Sequence, residues 1–429
     1  MNAATPRRTL PIVLVAAAVA LLVAWLLGRG LLPPGFGADP ADPAEFFTPG
    51  QIETAETFRG RIRLISLISL LVGLVALAAM AFYRGVPVDR ILTRFANRPV
   101  IGGAFLGGFL AALLALVEVP FTLAAWGTGR EFGIVTSSPL RLFSDIAISA
   151  SISIVLFAAA GALAVFAWDR FGRWFWVAAS FAIGVFAIAW LWLWPIVVAP
   201  LFNDFEPLPE GPARVELEKI ADRAGIEIAG VYTVDASKRT SAINAWVHGL
   251  GPSRRLVLQD TAIDGLDRAE LSSLVAHELA HVESRDPERG LLYVLLTVPL
   301  AALAIQTGAS WILRRRDRAD GGAVVVLPLA LGVGLAVVVL SIPGAWLSRQ
   351  IEMAADARAL ELTGNGQAMI SLQQRVAEEN LSEPSRPEPF RTLFATHPDP
   401  VERIGMAQAF EMRHGTKPDP NRSTGRGSR

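Results

Sequence analysis

The chain has five histidines, His248, His277, His281, His397 and His414, and two of them stand four residues apart. Read as a helix, residues 267–281 set the His277 and His281 imidazoles on one face, where both can meet a single ion. Asp267, with Glu270 three residues later, predicts a capping box at the start of that helix. Glu278 follows the first histidine and can reach a water held by the ion. A zinc ion lowers the pKa of such a water to about 7, and a carboxylate can then take its proton as the oxygen attacks a carbonyl. The His-Glu-x-x-His spacing serves that chemistry. With so few histidines, the spacing favours a metal site over two histidines that bond local polar groups on a surface helix.

Two imidazoles do not complete a zinc site. The residues after His281, Val282 to Pro287, supply neither the glycine nor the third histidine of the metzincin pattern, so the third ligand must come from elsewhere. It is not a thiolate, because the chain has no cysteine; disulfides and cysteine nucleophiles fall with it. A carboxylate candidate is Glu352, in a helical pattern that puts Asp356 four residues on along the same face. Glu352 would complete a His-His-Glu set and leave the fourth position to water. Asp356 would accept a hydrogen bond from a ligating imidazole and fix its tautomer. Alone, this stretch reads as an amphipathic surface helix with solvated acids; beside His277 and His281 it reads as the missing ligand.

The elements that must position these groups are mostly apolar. Hydrophobic residues make up 52% of the 429, and the mean hydropathy is +0.43, which indicates a membrane chain rather than a soluble helical bundle. Zero net charge suggests no nucleic-acid partner. Seven runs are long enough to cross a bilayer: residues 10–27, 64–83, 101–126, 146–168, 174–201, 291–313 and 323–347. Arg7 and Arg8 precede the first run as in a signal peptide. It lacks a clean small-residue cleavage site and reads as an anchor. Trp126, Trp168, Trp174, Trp311 and Trp346 near run ends fit an interfacial belt. The organisation expected is five spans with the amino-terminal segment (1–202), the first half of a polar domain with the His-Glu-x-x-His helix (203–290), two more spans (291–347), a second polar half with Glu352 (348–410), and a disordered tail (411–429) rich in Pro, Gly, Ser and Arg. An even number of crossings separates the polar halves, so they share a side.

Arginines in the short loops favour one side twelve to six. Arg7, Arg8, Arg84, Arg90, Arg94, Arg98, Arg170, Arg173, Arg314, Arg315, Arg316 and Arg318 stand against Arg29, Arg59, Arg61, Arg63, Arg130 and Arg141. The positive-inside rule then puts the amino terminus in the cytoplasm and the polar domain outside.

Taken together, these residues resemble the integral-membrane zinc proteases of the CaaX prenyl endopeptidase type and the related bacterial membrane heat-shock proteases. The resemblance rests on Asn203 with its flanking Pro200 and Pro207, on the stretch from Asp235 through Ser237, Lys238, Arg239, Asn244 and Ala245 to Gly249, and on Arg255 and Asp260. It continues through His277, Glu278 and His281, the Glu352–Asp356 step, and His397-Pro398 with Arg403; Glu118-Val-Pro120 and Arg130 to Gly133 carry it more weakly. It is strongest over 200–404. It implies a mainly α protein: a seven-span transmembrane helical barrel around a large chamber, capped by a small α+β zincin-like (gluzincin) domain. It also implies one zinc ion, with Glu352 as third ligand and Asp356 behind it. Asn244 and His397 would face substrate or the developing oxyanion, and Arg403 would close the site. The relatives named hold their catalytic domain on the cytosolic side, against the arginine distribution.

Residues 242–247 and 255–258 read as two strands around a Gly-Pro turn. Their open edge could take a substrate peptide as an added strand, or the hairpin could only support the helix. An endopeptidase acting on peptides or proteins at a lipid bilayer fits best, and Glu118 inside the third run fits a wet interior. A transporter or channel with a non-catalytic polar domain would predict more charges within the runs. An inert scaffold would lack part of the His277, Glu278, His281, Glu352 set. The Ala- and Arg-rich composition, with Arg far outnumbering Lys, suits a GC-rich bacterium and its plasma membrane. Prenylated termini are implied for eukaryotic relatives only; degradation of membrane proteins and processing of a peptide suit this composition equally.

Overall fold

A computed structural model describes residues 6–82, 94–249, 254–315 and 322–414. Arg84, Arg90, Arg316 and Arg318 of the loop distribution, the Gly-Pro turn, and the tail from 415 lie outside the described residues. The chain divides into two compact units.

The first unit holds the described residues of Met1–Leu27, Gly60–Phe202 and Glu288–Leu347. Over their described residues, the apolar runs are helical. Among the described residues, six helical stretches are long and apolar enough to cross a membrane: Thr9–Gly28, Pro49–Phe82, Pro99–Glu131, Pro139–Leu201, Asp286–Arg315 and Ala323–Thr363. The count of seven is therefore approximate, since the fourth and fifth runs share one stretch of 63 residues. At 1.5 Å per residue that is about three bilayer thicknesses, so it cannot be one straight crossing. It breaks at Gly172, whose φ of 49° no β-carbon-bearing residue adopts readily, into Pro139–Phe171 and Phe175–Leu193. Gln306 ties down the break, its Oε1 accepting from Trp176 N–H at 3.0 Å and its Nε2 donating to Gly172 C=O at 2.8 Å. Further on, Pro195 lacks an N–H, and the helix widens to a π turn over Trp194–Val198 before ending at Leu201.

Helices Pro99–Glu131 and Pro139–Phe171 touch backbone to backbone. A β-carbon on Gly161 would lie 2.2 Å from the Gly103 carbonyl oxygen. Without a hydrophobic drive between helices in lipid, such small-residue contacts supply the packing. Outward-facing Leu116 and Phe181 stay 69% and 74% exposed, which suits a lipid-facing surface. Ser69 Oγ donates to Glu118 at 2.6 Å, so the one acid of the third run has a partner on the second span.

The second unit comprises Gly28–Arg59, Asn203–Pro287 and the described part of Ser348–Arg429. Its sheet orders four strands β1-β2-β4-β3: β1 Phe205–Pro207, β2 Gly230–Val234, β3 Ala245–His248 and β4 Arg255–Gln259. β1 and β3 run antiparallel to their neighbours, and β2 and β4 are parallel. β3 is therefore an edge strand. It begins at Ala245, three residues later than the sequence suggests, because the residue that would pair with Ile243 is Asp260, which starts a helix (Asp260–Gly265). Leu256 and Leu258 point into the core with Val275 and Leu279 of the Arg268–Glu283 helix, all at 0% exposure. Asp267 Oδ1 accepts from Ala269 and Glu270 N–H at 2.8 and 2.9 Å, and Glu270 Oε2 accepts from Asp267 N–H at 2.9 Å, which is the expected capping box.

Two boundaries move. Residues 28–59, placed by sequence with the first membrane segment, pack into this unit instead. Phe36 and Phe47 are buried in its core, Phe36 stacks on Phe410, and Ala41 N–H donates to Val401 C=O at 2.9 Å. The last helix, Pro400–His414, runs four residues into the segment assigned to the tail, because Phe410 and Glu411 are buried and hold it.

Candidate metal centre

Four elements of the second unit supply the centre. The Arg268–Glu283 helix brings His277, Glu278 and His281. Helix Val326–Thr363, which carries the last apolar run, continues without a break through Glu352 and Asp356. The loop after Phe390–Phe394 brings His397, and helix Pro400–His414 brings Arg403.

His277 Nε2 lies 3.1 Å from His281 Nε2 and 3.3 Å from Glu352 Oε2, and His281 Nε2 lies 3.7 Å from Glu352 Oε1. Ligand atoms about 2.05 Å from a tetrahedral zinc stand about 3.3 Å apart, so the three side chains are spaced for one such ion. Each histidine is also oriented from behind. His277 Nδ1 is 2.9 Å from Asp356 Oδ1, and His281 Nδ1 is 3.0 Å from Asp286 Oδ2. A carboxylate only accepts, so each Nδ1 carries the proton and each Nε2 is left with a lone pair. Two lone pairs and a carboxylate then converge on one point. Glu352 Oε2 is buried there, 3.3 Å from His277 Nε2 and 3.0 Å from His397 Nδ1 but without hydrogen-bond geometry to either. A cation is the partner this donor set lacks.

Charge says the same. Burial alone would lower the pKa of His277, but Asp356 and Glu352 override it and raise it to about 10. Glu278 is raised by burial, offset in part by His277 and His281. That brings a carboxylate base nearer the working pH.

Arg403 clamps Asp356, with Nε 2.6 Å from Oδ2 and Nη2 on Oδ1. Asp356 is 1% exposed and Arg403 14%, so the pair is largely out of water. His397 joins the cluster on the open side. It is 59% exposed, with Nδ1 3.0 Å from Glu352 Oε2. Its loop is held by Arg386, which donates to His397 C=O at 2.8 Å, and by Arg349, which donates to the Ala395 and Thr392 carbonyls. Asn244 directly precedes β3: its Oδ1 accepts from Ala245 N–H at 2.9 Å, and its C=O accepts from Gln259 N–H at 3.1 Å.

Sequence reasoning missed Asp286. It lies in the same six residues that were searched for a third ligand, and the signal was the acid before Pro287. What brings it back to His281 is Arg285, in the left-handed region at φ 55°, which turns the chain between two helices. A non-glycine residue held there is a strained position of the kind that gathers at functional sites.

Residues 207–411 match peptidase family M48, and residues 40–204 match the CAAX prenyl protease N-terminal domain of five membrane helices. Over 419 residues the chain is 27% identical to the uncharacterized metalloprotease YhfN of Bacillus subtilis, covering 90% of this chain and 92% of that one. It is 33% identical to a protease HtpX homolog of Acidiphilium cryptum, over 44% of this chain and 70% of the relative. With CAAX prenyl protease 1 of Saccharomyces cerevisiae it shares 28% identity over 41% of this chain and 39% of the yeast protein. The crystal structure of S. mikatae Ste24p superposes with a TM-score of 0.75 at 19% identity, covering 92% of this chain and 98% of that one. That likeness concerns the fold.

Proposed function

The chain belongs to peptidase family M48 and is a membrane metalloendopeptidase, and we propose that it hydrolyses peptide bonds with zinc held by His277, His281 and Glu352 and with Glu278 as general base. The observation that carries this reading is the convergence of two Nε2 lone pairs and an orphaned carboxylate oxygen at ligand spacing, each imidazole fixed from behind by its own acid. Zinc bound there would supply Lewis-acid polarisation of water and of the scissile carbonyl.

The chain's own residues do the rest. Asp356 and Asp286 hold the imidazoles in the ligating tautomer, and Arg403 keeps Asp356 ionised. Glu278, raised by burial, accepts a proton from the attacking water and returns it to the leaving amine. His397, exposed beside Glu352, can donate to the oxygen on which negative charge develops. Asn244 would contribute its amide once a peptide displaces it from Ala245 N–H. The peptide lies along the open edge of β3, which packs on the metal-site helix.

Substrates are membrane proteins or membrane-proximal peptides. The name of the yeast relative points to prenylated termini, and that of the HtpX homolog does not. The loop arginines favour an outward-facing domain in a bacterial plasma membrane. The transporter or channel reading has no observation in its favour. The test is protein purified in detergent, assayed for bound zinc and for cleavage of an unstructured peptide. Wild type and Glu278→Gln should each carry about one zinc per chain. The variant should lose at least about a hundredfold in rate. Absence of zinc from both proteins overturns the assignment.

A further inference from the structure

The open edge of β3 is closed at one end by a side chain. Gln259 N–H donates to Asn244 C=O across the antiparallel pair, so residues 244, 246 and 248 spend their backbone groups on β4. Residues 243, 245 and 247 face the other way, toward the open edge. At Ile243 both outward groups are taken. Its N–H donates to Asn380 Oδ1 at 2.7 Å, and its C=O accepts from Asn380 Nδ2 at 3.0 Å. The side-chain amide thus makes the two bonds that the backbone of an added strand would make.

This amide is itself fixed. Asn380 caps the end of helix Gly366–Glu379. Leu381 after it sits in the left-handed region at φ 47°. Arg59 locks the turn, with Nη2 on Asn380 C=O at 2.6 Å and Nε on Leu381 C=O at 2.9 Å. Ile243 is 4% exposed. Three segments distant in sequence therefore spend four hydrogen bonds on holding one amide against one backbone position.

We propose that Asn380 is a specificity-determining positioning residue: its amide occupies the Ile243 position of the edge strand and stops an incoming peptide there. The inference rests on the reading that substrate adds to β3. Main-chain pairing is left to Val247 and to Ala245, whose N–H a peptide must first free from Asn244 Oδ1, and that fixes which peptide bond lies over the metal-site helix. If Asn380 is removed, Ile243 offers its N–H and C=O, and the peptide can pair one step further. Because strand faces repeat every two residues, an alternative register is displaced by two residues and not by one.

The experiment uses the full-length protein in detergent and one unstructured peptide, made also as a set with a single backbone N-methyl group at each position. With wild type, methylation should raise KM about fivefold, the worth of one net main-chain hydrogen bond, at the amides facing Ala245 and Val247. It should have no effect two residues beyond, opposite Ile243. With Asn380→Ala, and with the milder Asn380→Ser, that third amide should become sensitive. A second cleavage product, displaced by two residues, should appear by mass spectrometry. Sensitivity of the third amide in wild type overturns the stop, as does an unchanged cleavage map in a variant that keeps its zinc and melting temperature. Val247→Pro, which removes an outward N–H, separates the two readings. If it leaves KM unchanged and no amide is sensitive, edge binding itself fails. If it raises KM while the Asn380 variants behave as wild type, only the stop fails. The N-methyl series on wild type decides the matter even if both Asn380 variants misfold.

Discussion

Replacing Asp286 by alanine removes the acceptor behind His281 and leaves His277, His281 and Glu352, the proposed metal ligands, in place. Asp286 Oδ2 stands 3.0 Å from His281 Nδ1, with side-chain exposures of 7% and 20%. A hydrogen bond to an ionised group contributes about 1.5–3 kcal/mol, and about 1.4 kcal/mol is a factor of ten in binding. Because His281 keeps partial contact with water, the lower part of that range applies, and zinc affinity should fall about 10- to 30-fold, within the 10- to 100-fold typical of groups behind metal ligands. Asp286→Asn keeps an acceptor without the charge and should lose only about threefold. The assay is zinc competition against a graded series of chelators on the stripped, full-length protein, with melting followed in parallel. Asp286 also begins helix Asp286–Arg315, where an acid favours the helix dipole. That contribution moves the melting temperature and leaves the chelator midpoint alone. Affinity for Asp286→Ala within twofold of wild type, alongside loss of binding in His281→Ala, would refute the reasoning.

Arg403→Met leaves Asp356 buried with half its partners and should destabilise the protein by about 3 kcal/mol; adding Asp356→Asn should recover much of the melting temperature, and no recovery would show that the charge is not the cause. Zinc uptake should depend on pH because His277 is raised to about 10 without the metal. Between about pH 6 and 9 the ion displaces one proton, and affinity should rise about tenfold per pH unit, flattening above about 10; a flat titration contradicts the assignment. In the metal-free protein the charged His277 contributes stability that is full below about pH 6.5 and lost as pH rises through about 10, so stripped samples should melt lower at pH 9.5 than at pH 6. Gly161→Ala should lower the melting temperature in detergent by the equivalent of about 1–3 kcal/mol, whereas Gly290→Ala, with open space around it, should be silent.

The residues legible in the sequence were those whose geometry is local. His277 and His281 share a helical face by spacing alone, Glu352 and Asp356 likewise, and Asp267 with Glu270 announced the helix start. The apolar runs marked the membrane helices because length and hydropathy need no tertiary information. They did not show that two runs share one stretch broken at Gly172. Asp286 was passed over because its use depends on a left-handed Arg285, and sequence favours no such conformation for arginine. Asn380 carried no signal at all; its meaning lies in a strand 137 positions away. Residues 28–59 were misplaced for a related reason. Phe36 and Phe47 look like ordinary loop residues until the core of the second unit, with Phe410 stacked on Phe36, is there to cover them.

That last contact has a consequence for how the protein is made. Gly405 packs so closely on Asp39 that a β-carbon there would lie 2.2 Å from the Asp39 carbonyl oxygen. The segment at Asp39 therefore cannot pack until the helix that carries Gly405, more than 360 positions later, has been made. Arg403, which holds the acid behind His277, arrives on that same final helix. A ribosome-bound chain that already displays His277, Glu278 and His281 still lacks both the cover of its core and the clamp of its metal site.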